Sequence, residues 1–302
     1  LYTVGCVPYV NARPLVHWIE DLGPDAPVQI FYAVPSALPA SLASGEADAV
    51  MVSSVECLTQ PGARIAEGVC IGTDGPVESV KLFSRVPFEQ IKTLALDQSS
   101  LTSNRLGQLI LREVYSAAPK VVTLPPVQAT MLAQADACIL IGDIGMSAPT
   151  EGLHVLDLGE AWTSLTGLPF VWAVWTGGER LTPELVALLN AARLLSYVGR
   201  NPNQGMQSLR RDRFEAYARS ISAMPLLSGE HQRDAVVRRA AERSGWDVED
   251  ARRYLTETII YDLGERALQG LAEFGRRLVT HGLVESVSLP TVVPAEIPVV
   301  HG

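Results

Sequence analysis

Four cysteines in 302 residues, Cys6, Cys57, Cys70 and Cys138, make no CxxC pair and have no histidine beside them. The spacing offers neither a disulfide frame nor a zinc site and predicts buried, reduced thiols in a reducing, cytoplasmic compartment. Basic residues are scarce as well: 24 Lys and Arg against 33 Asp and Glu leave a formal charge of −9. A chain that repels polyanions as a whole is not expected to coat nucleic acid or an acidic membrane, so any anionic ligand has to be held by local groups. Purely apolar stretches such as 138–141 and 170–175 end within six residues, far short of the ~18 that cross a bilayer. The signatures of GxSxG, GxGxxG after a strand, P-loop and HExxH are all missing. Serine hydrolysis, dinucleotide redox, NTP hydrolysis and zinc catalysis therefore lose their usual carriers. No metal and no cofactor are expected, and the five histidines stand alone.

What remains is an apolar, globular composition with 47% hydrophobic and 19% charged residues, enough chain for one large domain or two ordinary ones. Up to about residue 175, short β-rich runs alternate with helical stretches, the pattern of βαβ units and a mainly parallel sheet. The predicted strands are 2–7, 28–34, 49–52, 67–72, 93–96, 120–124, 137–141 and 170–176. Thr182-Pro183-Glu184 then opens a helix over 184–197 with an N-cap and a first-turn proline. Asp247 begins another, and a last run carries Leu263, Ala267, Leu271, Phe274 and Leu278 at helical spacing before Gly282 stops it. Fifteen of the basic residues fall between Arg193 and Arg277, but twelve acidic residues are interleaved, so these read as solvated helix faces. The proline-rich tail from 289 to 302 reads as extended surface chain. Breaks near 84–88 and 175–178 suggest two crossings between two α/β lobes, 1–83 plus 176–302 and 84–175. The interlobe cleft, where strand C-termini and helix N-termini gather, is the expected active site.

Five segments bring polar groups to that cleft. In Val7 to Leu15, Asn11 stands near a helix start and either caps it or reaches a ligand, while Arg13 either binds a carboxylate or is solvated. In Ala49 to Glu56, Ser54 is placed to donate to an anion and Glu56 to cap the helix. Asp97-Gln98-Ser99-Ser100-Leu101-Thr102-Ser103 crowds hydroxyls into a helix opening. Together with free N–H groups and the positive helix end, they make an anion seat. The strand 137–141 ends in Gly142-Asp143, a carboxylate suited to acid, base or capping work. In Thr166-Gly167-Leu168-Pro169-Phe170, the loop is placed to show N–H groups to a ligand, with Phe170 to stack on a flat ring. Trp172 and Trp175 read as core.

In this order, Tyr9-Val10-Asn11-Ala12-Arg13-Pro14-Leu15, Ser54-Val55-Glu56, Ser79-Val80-Lys81-Leu82, Leu96 to Ser103, Ile141-Gly142-Asp143, Thr166 to Phe170 and Tyr261-Asp262-Leu263-Gly264 resemble the chorismate dehydratase family of the futalosine route to menaquinone. The resemblance implies a bilobal type II periplasmic-binding-protein fold with a helical C-terminal segment. It also implies a cofactor-free lyase that removes water from chorismate to give 3-[(1-carboxyvinyl)oxy]benzoate. Under it, Ser54, Ser99, Ser100, Thr102, Ser103, Thr166, Pro169 and Phe170 become substrate-binding residues. Asn11 and Ser79 orient the ring and the leaving hydroxyl. Asp143 moves the proton, with the substrate's enolpyruvyl carboxylate as rival base. Leu101 departs from the small or basic residue expected there. The alternatives are a solute-binding protein for a small carboxylate and the related dihydroxynaphthoate synthase, whose N-terminal Cys-Pro-Asn-Asp character this chain lacks. The partner is then one small molecule; the sequence leaves the oligomeric state open.

Overall fold

The structure is a computed structural model that describes residues 1–302 apart from 24–25, 197, 199–212, 215, 219, 221–228 and 298–302. Four strands open the chain: β1 (Tyr2–Cys6), β2 (Val28–Tyr32), β3 (Ala49–Ser53) and β4 (Arg64–Thr73). Between them lie a 3-10 helix (Val10–Leu15) and helices α1 (His17–Asp21), α2 (Leu38–Ala43) and α3 (Ser54–Thr59). A second group follows: β5 (Lys81–Ser84), β6 (Thr93–Asp97), α4 (Thr102–Tyr115), β7 (Lys120–Leu124), α5 (Gln128–Gln134), β8 (Ala137–Leu140), α6 (Gly142–Ser147), β9 (His154–Asp157) and α7 (Leu158–Thr166). The chain then returns through β10 (Phe170–Gly177) and α8 (Pro183–Leu195). It ends with α9 (Gly229–Ser244), α10 (Val248–Arg253), β11 (Ile259–Ile260), α11 (Glu265–Thr280) and β12 (Thr291–Val293).

The strands form two sheets. One runs β11-β4-β10-β3-β1-β2 with β12 beside β4, and the other runs β7-β6-β8-β5-β9. Both are mixed rather than mainly parallel. In the first, β1 is parallel to β2 and β3, but β10 is antiparallel to β3 and β4. In the second, β6 is parallel to β7 and β8, but β5 is antiparallel to β8 and β9. Strands β5 and β10, which follow the crossings, are reversed, as is the short β11, antiparallel to β4. A chain arriving from the other sheet has no crossover helix to make, so the rule that enforces parallel βαβ pairing does not apply to it.

The crossings therefore sit earlier than the boundaries at 83/84 and 175/176. Residues 74–80 carry the chain from β4 into β5, and 167–169 carry it from α7 into β10. The apolar run at 170–175 is central in the first sheet, whereas Lys81–Ser84 belongs to the second. The tail also differs from its expectation. Thr291–Val293 pairs with Arg64–Ala66, and Val293 is buried, because β4 extends to residue 64 and leaves an edge for it. The four cysteines are free and buried, and desolvation pushes the thiols of Cys6, Cys57 and Cys138 up to about 12.

Helix ends follow the local chemistry read from the sequence. Thr182 accepts from the Leu185 N–H at 3.2 Å ahead of Pro183, and Asp247 accepts from Glu249 at 2.8 Å. Gly282 leaves α11 at φ +61°, a turn that L-residues rarely adopt.

Each crossing is pinned. At the first, the Asp157 carboxylate accepts from the backbone N–H of Val77 (3.0 Å) and Glu78 (2.7 Å). The same group caps α7 through Gly159 (2.9 Å) and Glu160 (3.0 Å). One side chain thus joins the crossing to the helix that precedes the return. At the second, the carbonyl of Pro169 accepts from the Trp162 indole at 3.2 Å, and α11 lies so close that any Cβ at Gly270 would collide with that carbonyl. The Phe170 ring is wedged among Trp162 (5.3 Å), Trp172 (4.3 Å) and Phe274 (4.9 Å), aromatic contacts that tie α7, β10 and α11 together.

Replacing Asp157 by Ala leaves those N–H groups without their acceptor. The variant is expected to lose about 2 kcal/mol or more by chemical denaturation. A loss below ~0.5 kcal/mol, the level of an ordinary surface change, would show that the crossing is held by something else.

Candidate active site

A cavity of about 400 Å³ opens between the two sheets, within the ~300–1,000 Å³ of typical small-molecule sites. Its flat walls are apolar, from Val7, Met51, Ile71, Val77, Ile141 and Trp172. Among the described residues no Lys, Arg or His lines it. An anion placed here meets hydroxyls, amides and backbone N–H groups, with the Glu56 carboxylate on the α3 side.

Those groups concentrate where β6 gives way to α4. Asp97 is buried and accepts from both the backbone N–H (2.8 Å) and the hydroxyl (2.6 Å) of Ser99, which shapes the turn. Asn104 then staples strand to helix: its amide oxygen accepts from the Asp97 N–H at 3.2 Å and its amide nitrogen donates to the carbonyls of Asp97 (2.8 Å) and Ser100. Leu101, at the N-cap position, offers no side-chain cap. Consequently no protein acceptor among the described residues reaches the N–H groups of Thr102, Ser103 and Asn104. They open a 14-residue helix whose dipole is positive at this end. Ser99, Ser100, Thr102 and Ser103 all line the cavity. Their hydroxyls are not equivalent: that of Ser99 is spent on Asp97, and Thr102 accepts from the Val55 N–H of α3 across the cleft at 3.0 Å. Ser100 and Ser103 keep theirs free.

Opposite the seat, two phenols of the C-terminal segment hold Ser79 and Asn11. Ser79 Oγ lies 2.8 Å from Tyr254 Oη, and the Tyr261 hydroxyl donates to the Asn11 backbone carbonyl at 2.8 Å. Asn11 does not cap its 3-10 helix, whose N-cap residue is Tyr9. Asn11 lines the cavity, and its Oδ1 is buried with no partner among the described residues. Gly145 lets α6 lie against this wall, since any Cβ there would collide with the Ser79 carbonyl.

Five of the expected site residues are placed elsewhere. Ser54 is fully buried and donates to the Val171 carbonyl, while its neighbour Ser53 caps α3 and faces the cavity. Thr166 donates to the Trp162 carbonyl at 2.9 Å and accepts from the Leu168 N–H at 3.1 Å, so that loop has satisfied itself. Pro169 and Phe170 belong to the crossing wedge. Asp143 stands on the rim rather than in the cavity wall, and desolvation raises its carboxyl from the usual range. Arg13 also turns away, 3.5 Å from Glu20 and stacked 4.6 Å over Tyr32.

Other residues are in the wall unannounced. Tyr9, Ser53, Glu56, Gln98 and Trp172 line the cavity, and Glu56 supplies its carboxylate. Alternation along β10 was the available signal for Trp172: it points away from its buried neighbours Val171 and Trp175, and its indole reaches Thr73 at 3.2 Å.

Comparison with known proteins places this geometry. Of solved structures, one from Archaeoglobus fulgidus superposes with a TM-score of 0.67 at 17% identity, covering 94% of this chain and 98% of that one. The periplasmic aliphatic sulphonate binding protein of Escherichia coli superposes at 0.57 with 15% identity, covering 100% and 97%. A Candida albicans protein described as having the generic periplasmic binding protein fold reaches 0.54 at 8% identity, covering 98% of each. At those identities the likeness establishes the bilobal binding-protein fold. A curated chorismate dehydratase from Thermus thermophilus is 31% identical over 244 residues, 75% of this chain and 85% of that protein. Because a family model for menaquinone biosynthesis also matches residues 2–198, the chain belongs to the menaquinone-biosynthesis family.

Proposed function

We propose that the cavity binds chorismate and removes water from it, giving 3-[(1-carboxyvinyl)oxy]benzoate, so that the protein is a cofactor-free hydro-lyase of the menaquinone route. The observation that carries this reading is the seat at the start of α4, with two free hydroxyls and unpaired N–H groups facing an apolar slot. A dianionic ring fits a slot of that kind without any cation in its wall. Four buried thiols support a reducing, cytoplasmic setting.

The chemistry follows from the substrate. The C3 hydrogen of chorismate is activated through the adjacent double bond by the ring carboxylate. Its removal puts charge on that carboxylate as a dienediolate, departure of the C4 hydroxyl then aromatises the ring, and the two fragments leave as water. Charge therefore grows on the group that the α4 seat would hold, and preorganised donors stabilise such charge most effectively in a water-excluded site. The ether at C3 and the hydroxyl at C4 are trans, which puts the C3 hydrogen and the departing oxygen on one ring face. Asn11 and Ser79 would face that oxygen, with the Ser79 hydroxyl donating to it. With Asp143 on the rim, the C3 proton goes to the substrate's own enolpyruvyl carboxylate, which is already tethered to the carbon that loses it.

Incubation of the purified protein with chorismate, followed by mass-resolved chromatography, should show catalytic appearance of a species one water lighter that keeps the enolpyruvyl group. A rise in melting temperature without turnover would instead make this a binding protein for a small carboxylate. Asp143→Asn should keep turnover within about threefold of the parent; a drop of a hundredfold or more, the scale of a lost general base, would return proton transfer to Asp143. Ser100→Ala and Ser103→Ala should each weaken chorismate binding by about 1–3 kcal/mol, the cost of a charge-assisted hydrogen bond. Ser99→Ala should act through the Asp97 turn and so lower stability as well. Calorimetric titration and thermal melts separate the two effects, and unchanged affinity in both Ser100→Ala and Ser103→Ala would dismiss the seat.

A further inference from the structure

Ser79 is held by a residue outside the 2–198 segment matched by the family model. Tyr254 is 1% exposed and packs against Trp246 with ring centroids 5.2 Å apart. It begins a π-helical turn (Tyr254–Thr258) that continues α10, an irregularity that often marks functional sites. That turn is fastened beside Ser79. Arg253 and Thr258 both bond the carboxylate of Glu78, the latter at 2.6 Å, and Glu78 itself takes φ +62°.

The direction of the hydrogen bond between Tyr254 and Ser79 follows from burial. Tyr254 is buried and its hydroxyl meets Ser79 Oγ at 2.8 Å, so the phenol proton goes to Ser79, and the Ser79 proton is left for the cavity that Ser79 lines. The reverse polarity would strand the phenol proton, because it forms no other hydrogen bond among the described residues.

We propose that Tyr254 is a positioning residue for the reaction, its hydroxyl fixing the Ser79 hydroxyl as a donor turned toward the substrate. This rests on the chorismate reading for what Ser79 does, but not for how it is held. A departing C4 hydroxyl needs a donor to its oxygen as the bond breaks. A serine free to rotate would present the wrong atom part of the time. The C-terminal segment thereby contributes to catalysis as well as to the fold.

Tyr254→Phe keeps the ring against Trp246 and deletes only the relay. It is expected to lower kcat 10- to 100-fold with KM within threefold. The loss should be uniform from pH 6 to 9, because burial holds the Tyr254 phenol up at about 12 and it stays protonated throughout. The melting temperature reports whether the fold survives, and crystal structures of parent and variant report the Ser79 side chain. Turnover within twofold of the parent overturns the proposal. If the parent itself leaves chorismate unchanged, the chorismate reading fails, and the structures still decide the positioning: a rotated Ser79 side chain in the variant supports it, and an unchanged one overturns it.

Discussion

The constraint on which the site depends is the double use of Asp157. A carboxylate at the N-cap of α7 is an ordinary helix start, but here its second face takes the N–H groups of Val77 and Glu78, eighty residues earlier in the chain. One crossing between the lobes is thereby fastened to the helix that leads into the other. Neither can shift without disturbing its partner. Ser79 follows directly after that anchored turn, Arg253 and Thr258 clamp Glu78 from the far side, and the Ser79 carbonyl is roofed by Gly145. The polar floor of the cavity is rigid because it is part of a hinge, and a hinge has to be well defined for two lobes to close on a ligand.

Charge is handled in the same economical way. An arginine in the wall would hold a carboxylate strongly, but it would hold the ground state as strongly as the transition state and gain nothing in kcat. Backbone N–H groups at a helix start carry only partial charge and are fixed in direction. They would cost no reorganisation as charge shifts through the ring onto a carboxylate held there. The net charge of −9 is compatible with an anionic ligand for this reason: the attraction is confined to the first turn of α4, while Arg13 is paired with Glu20 and Arg253 with Glu78.

The seat was legible in the sequence because four hydroxyls in five positions have few structural uses, and local chemistry at helix ends is written in neighbouring residues. Thr182, Asp247 and Gly282 were legible for the same reason. Asn104 was not, because its task is to bond a strand end seven residues back, and one asparagine inside a helix carries no mark of that. The short strands β5 and β9, the reversed direction of β10 and the pairing of β12 depend on where the chain crosses between sheets, which is tertiary information. Thr166 and Phe170 misled for a related reason: a hydroxyl and an aromatic beside Gly and Pro suit a ligand loop and a hinge equally well, and only the ring of Phe274 from α11 settles which.

Asp143 shows how position within a motif leaves a role open. A carboxylate after a buried strand and a glycine is the usual place for an acid or base, and burial does raise its pKa from the carboxylate norm. Yet the cavity wall ends at Gly142, one residue short of it, so reach rather than acidity decides what it can do. The lobes are joined at the seat itself, where the Val55 N–H donates to Thr102. Ser79, held by Tyr254, lines the same cavity from the crossing. A cavity whose donors come from both lobes is complete only with the lobes together, which makes exclusion of water and assembly of the site the same event.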